Sequence, residues 1–163
     1  MKRTVFAMLT FLVVFSSCRK SDTPLSYQGG SWTLGPTQYN ATSCTASPAS
    51  AMVTTSGVSV GLGTNYNMTF SFTDGYPTTS GTYTVLNGHN TSSVLFANFV
   101  MINATLTGAV NEQFHSSGSN GSQSVTVVVS NGKISLSGSG ITMLNDSNAS
   151  DSIPLSFNIN QTQ

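Results

Sequence analysis

Apolar and polar residues alternate through much of this chain with the two-residue period of a half-buried strand, not the 3.6-residue period of a helix. The clearest run is 66–73, where Tyr66, Met68, Phe70 and Phe72 interleave with Asn67, Thr69, Ser71 and Thr73. One face of that strand is core and the other is wet. Turn chemistry follows in Asp74-Gly75-Tyr76-Pro77, and a strand resumes over 81–86 with Tyr83 and Val85 inward, so the two runs are read as an antiparallel pair. A second hairpin is specified more tightly. Asn131-Gly132, the two-residue turn that suits positive φ at both positions, separates 124–130 from 133–139. Across it Val129 faces Ile134 and Val127 faces Leu136, while Val128 meets Ser135 and Thr126 meets Ser137, so the apolar faces coincide. Residues 152–160 alternate again, with Ile153, Leu155, Phe157 and Ile159 on one side. Pro154, on the other side, suits a sheet edge or a first strand position, and this segment is read as the one that closes the sheet.

Earlier segments are less regular. Residues 31–34 and 38–46 flank Gly35-Pro36, residues 51–55 and 58–62 flank Ser56-Gly57, and each pair is read as a hairpin. The stretch 94–106 carries apolar residues on both parities, Val94, Phe96, Val100 and Ile102 against Leu95, Phe99 and Met101. That pattern fits a strand buried on both sides or a short helix, and its context favours strand. The sum is an all-β domain of about eight to ten strands, an antiparallel β-sandwich or a small barrel, between which the pattern does not choose.

Composition agrees with strands and excludes some partners. Only 6% of residues are charged, five cations against five anions, and the helix former Glu occurs once, at Glu112. Four of the five cations fall in the first twenty residues, leaving Lys133 alone in the body, so there is no basic face for nucleic acid. At 38% hydrophobic, with nine Phe and five Tyr, the chain carries the apolar surface that disordered sequences lack.

The N-terminus reads as an address. Met1-Lys2-Arg3 is basic, Val5 to Phe15 is apolar apart from Thr10, and Ser16 and Ser17 are small, the layout of an export signal. The run is too short to cross a hydrocarbon layer, which takes about 20 apolar residues. Phe15-Ser16-Ser17-Cys18 resembles the lipobox of bacterial lipoproteins, with Phe15 in the place usually held by Leu. The resemblance implies a signal peptide over 1–17, removal of which leaves Cys18 as the first mature residue bearing palmitate-type acyl chains. It implies a membrane partner bound through that lipid. Arg19, standing where an Asp retains such proteins at the inner membrane, points to an outer-membrane location in the cell envelope. Residues 18–28 then form the acylated tether and residues 29–163 the β domain. Acylation of Cys18 leaves Cys44 without a disulfide partner, so stability rests on packing.

Further motifs, Gly30-Ser31-Trp32-Thr33, Ser80-Gly81-Thr82-Tyr83, Val125-Thr126-Val127 and Gly132-Lys133-Ile134-Ser135, extend the resemblance along the chain. Together they are similar to small Gram-negative lipoproteins with a Ser/Thr/Asn-rich β domain. They are strand and turn motifs and bring no catalytic residue set with them.

Candidate chemistry is sparse. The Ser-Gly-rich stretch 116–122 reads as a loop. Glu112 and His115 stand i, i+3, which shares a face on a helix but not on a strand. Oxygen donors crowd the loop 145–151, where Asp146, Asn148 and Asp151 are the candidate calcium ligands. Asp151 occupies the Gly position of an EF-hand loop and Phe157 its Glu position, so the loop also reads as a solvated turn. Trp32 and Tyr76 are the candidate ligand-binding aromatics, able to stack on a sugar or a protein partner, with a core role as the alternative for each. Several of the eight Asn-x-Ser/Thr triplets are explained by two polar residues sharing the wet face of a strand. Asp151-Ser152-Ile153 resembles a bacterial O-glycosylation acceptor.

These residues predict a non-enzymatic, membrane-anchored envelope lipoprotein without a cofactor, serving as a binding or surface-interaction module for a glycan or an envelope protein. The alternative is a structural component that self-associates through its strand edges. A hydrolase would require His89 or His115 to meet an acid in a cleft.

Overall fold

The computed structural model describes residues 29–61, 64–89, 98–107, 111–118 and 122–162, and these are almost all strand. The signal segment 1–17, Cys18 and its tether, and positions 94–97 of the two-parity stretch lie outside the described residues. Ten strands follow in chain order: β1 (Gly30–Leu34), β2 (Thr37–Ser47), β3 (Met52–Ser59), β4 (Asn65–Phe72) and β5 (Gly81–Leu86). The second half holds β6 (Phe99–Thr107), β7 (Glu112–Ser116), β8 (Ser124–Ser130), β9 (Lys133–Asn145) and β10 (Asn148–Asn160). One 3-10 turn, Pro48–Ser50, joins β2 to β3, and there is no α-helix among the described residues.

All ten strands share one sheet, in the order β10-β1-β2-β3-β4-β6-β5-β8-β9-β7, and β9 also pairs with β10. The ladder therefore returns on itself, making a closed, barrel-like sheet. Two pieces fill the gap between β6 and β9. The β5–β8 pair occupies one part, and β7 occupies the other, bonded to Asn103–Leu106 of β6 and Met143–Asn145 of β9. Every pairing is antiparallel except β5–β6.

The inward alternation is as the sequence reads. Tyr66, Met68, Phe70, Phe72, Tyr83 and Val85 are all buried, as are Leu155, Phe157 and Ile159. They join one core in which Phe70 and Phe157 meet edge to face at 4.9 Å. The β8–β9 register matches residue for residue: Val129↔Ile134, Val127↔Leu136, Val128↔Ser135 and Thr126↔Ser137. Asn131 and Gly132 take φ of 52° and 73°, the backbone of the two-residue turn. The β1–β2 hairpin around Gly35-Pro36 also forms, and β10 does close the ring, bonding β1 on one side and β9 on the other.

Three local expectations are corrected. Residues 66–73 and 81–86 are not partners, because β6 pairs with β4 along its whole length and separates it from β5. A parallel neighbour needs a crossover of a dozen or so residues, and the chain supplies it between Leu86 and Phe99. Ser56-Gly57 is no turn either, since β3 runs straight through it. Gly57 is there for close approach, as a Cβ would lie 2.1 Å from the Trp32 ring. Pro154 is exposed as expected but sits inside the sheet. Its carbonyl accepts from Gly35 N–H at 2.8 Å, so its nitrogen faces the side where β1 has just turned away and needs no partner.

Candidate functional site

The two histidines of the chain converge on one carboxylate. His115 is on β7, His89 is in the turn after β5, and Asp146 is in the two-residue turn joining β9 to β10. His115 Nδ1 lies 2.5 Å from Asp146 Oδ1, and His89 Nε2 lies 3.3 Å from Asp146 Oδ2. The two imidazoles stack, centroids 3.8 Å apart and 22° from parallel. His115 is buried while its partners open to solvent, the side chains of His89 and Asp146 being 56% and 25% exposed.

Strand β7 organises all of this. It is covered on both faces, since Phe114 points into the core and His115 beneath the His89 ring. Its pairing Phe114↔Asn145 brings up the β9–β10 turn, and Asp146 N–H donates to Gln113 O at 2.9 Å. On the other side Gly88 N–H donates to Ser116 O at 2.8 Å, and Asn87 bridges to Ser117. Asn87 Oδ1 then accepts from His89 N–H at 2.8 Å, which fixes the turn that carries the imidazole. Gly88 is required here because a Cβ would lie 2.8 Å from both His115 Cβ and Asn103 Oδ1. Beside Asp146 a polar groove of about 550 Å³ opens between Thr105, Asn111, Gln113 and Ser147.

The residues singled out in the sequence take other places. Trp32 is not an exposed platform: it is 2% exposed, stacked on Tyr39 in the core. Tyr76 is half-buried against the core, its hydroxyl donating to Gln161 Oε1 at 3.3 Å. Asp146, Asn148 and Asp151, the candidate calcium ligands, each have other neighbours. Asp146 turns to the histidines, and Asn148 Oδ1 accepts from Ser150 Oγ at 2.6 Å. Asp151 borders a separate cavity of about 220 Å³ with Pro36, Tyr39, Tyr66 and Glu112. Glu112 and His115 stay apart, as a strand dictates. The pairing of His89 with His115 has no local spacing signal. The available clue was that a chain so poor in titratable groups had both histidines and an acidic turn to place.

Ser116, next to His115, offers it no nucleophile. Its hydroxyl donates to Leu86 O at 2.6 Å and accepts from Ile102 N–H at 3.1 Å, holding the ends of β5 and β7 together. Burial pushes the Cys44 thiol up to about 11, away from the thiolate that reacts or binds metal.

Comparison of the chain with protein-family models, curated proteins and solved structures finds no match. Fold and site together define a closed β-sheet domain with a histidine–carboxylate cluster at one end.

Proposed function

We propose that the chain is a lipid-anchored lipoprotein of the cell envelope whose β domain is a binding module presented to the aqueous side. One observation carries the reading: the chain enters the domain at one end, and its titratable cluster lies at the other. Gly29 O accepts from Asn160 N–H at 3.0 Å, at the finish of β10, whereas Asp146 lies two residues before the start of β10. Counted along the facing β9 from Asn145 to Leu136, since β10 bulges between Asn148 and Ser152, the separation is about 30 Å. Cys18 and its tether would thus hold the domain by the end opposite the cluster.

Binding is favoured over catalysis by the bonding of Ser116, which is spent on backbone groups beside the histidines. Self-association through strand edges is disfavoured by closure of the ladder, which pairs both sides of the ring strands. The anchor is tested by growing expressing cells with an alkyne analogue of palmitate. Label is expected on the wild type and lost in Cys18→Ala, and an unlabelled wild type overturns the anchor.

A further inference from the structure

We infer that His89, His115 and Asp146 form a binding site for a divalent transition metal of the zinc class, which deepens the binding-module reading and rests on it. Each of the three residues offers a ligand atom, all within 4.8 Å of one another. In a tetrahedral zinc site, with bonds of about 2.0–2.1 Å, ligand atoms stand about 3.4 Å apart. His89 Nε2 and Asp146 Oδ2 are already at 3.3 Å. Coordination through Asp146 Oδ2 would replace the hydrogen bond between His115 Nδ1 and Oδ1, turning Nδ1 to the ion.

The donor set selects the metal. Two imidazole nitrogens and one carboxylate oxygen suit zinc, copper or nickel, whereas calcium takes six to eight oxygens and magnesium demands an octahedron of them. Asp146 is the one carboxylate in this cluster among the described residues. With three protein ligands and two of them exposed, a fourth position faces solvent, which is where water or a donor from a bound partner would coordinate.

The site is also preorganised. The segments bearing His89 and Asp146 are tied by backbone bonds to β7 or the residue after it, so the ligands come to the metal from a fixed frame.

The test uses the full acylated protein in detergent, stripped with a chelator and titrated with Zn²⁺ by calorimetry and with Co²⁺ by visible absorption. One equivalent of Zn²⁺ is expected to bind, and Co²⁺ to give the intense bands of a four-coordinate site. His89→Ala and Asp146→Asn should each weaken Zn²⁺ binding by at least about tenfold. Metal-free His89→Ala, which loses the stacking on His115, should melt at a slightly lower temperature but still cooperatively, which separates loss of a ligand from loss of fold. Absence of saturable binding below about 100 µM Zn²⁺ overturns the site. So does binding that both variants leave intact, or stabilisation by Ca²⁺ in place of Zn²⁺. Palmitate labelling of Cys18 is read on the same preparations, so a failed metal site with a labelled anchor leaves the lipoprotein reading standing.

Discussion

Gly57 and Gly132 separate two reasons for having no side chain. At Gly57 a Cβ would meet the Trp32 ring at 2.1 Å and Asn40 O at 2.7 Å, while at Gly132 nothing lies within 4 Å and only the φ of +73° is special. Gly57→Ala should therefore cost about 2–3 kcal/mol, by overpacking. Gly132→Ala should cost about 1 kcal/mol, the penalty for a left-handed backbone alone. Chemical denaturation of both variants checks the ratio, and equal losses would mean that the Trp32 contact gives way freely. Cys44 supplies a pH dependence of known sign. Burial holds its folded pKa at about 11 against a reference of 9.0, and it also raises that of Tyr66. Above pH 9 the unfolded thiol gives up its proton while the folded one keeps it, so stability is full below pH 9, declines as pH climbs, and stops declining through this group above 11. Thermal melts from pH 8 to 11 should show that decline, and Cys44→Ala should make it shallower. A parallel decline in the variant would assign the whole effect to other groups.

At the scale of elements, what the sequence made legible was what neighbours in sequence decide. The β8–β9 hairpin could be registered to the residue because Asn131-Gly132 and the facing Val, Ile and Leu positions are local information. The insertion of β6 between β4 and β5 could not, because it depends on which distant strand best covers β4. The site failed for the same reason. Spacing along the chain tied His115 to Glu112 and Asp146 to Asn148 and Asp151, whereas the partners that matter are 26 and 31 residues from His115, brought in by the ladders of β7. That role of β7 predicts an effect at a residue that is no ligand. In Gly88→Ala the new methyl would press on His115 Cβ, Asn103 Oδ1 and Ile102 O at 2.8–2.9 Å and lift the His89 turn from β7. Zn²⁺ affinity should fall about tenfold, as for loss of a supporting contact, although all three ligands remain. Unchanged affinity would show that the turn positions His89 without that contact.

The whole molecule is governed by closure, because β1 and β10, the first and last strands among the described residues, pair with each other. Thr162 extends the join, its backbone N–H donating to Cys44 O at 3.0 Å and its hydroxyl accepting from Cys44 N–H at 3.2 Å. Such pairings form only after a long loop is closed, so folding should be slow for the size of the domain. They also make β10 indispensable. Its Leu155, Phe157 and Ile159 are 0–5% exposed, and each buried side chain of this size contributes about 1.5–3 kcal/mol. Their joint loss, about 5–9 kcal/mol, is comparable to the whole stability of a typical domain. Removal would further strand the ladder groups of β1 and β9 that β10 satisfies. A chain ending at Ser147 keeps His89, His115 and Asp146, yet it should show no cooperative thermal transition by circular dichroism and bind no Zn²⁺ at the affinity of the full chain. Ile159→Ala, removing part of one such side chain for about 2–5 kcal/mol, should still melt cooperatively at a lower temperature. A cooperative melt in the truncated chain would mean that the remaining strands close without β10, and that the metal cluster, carried by β7 and the turns around it, is independent of the ring.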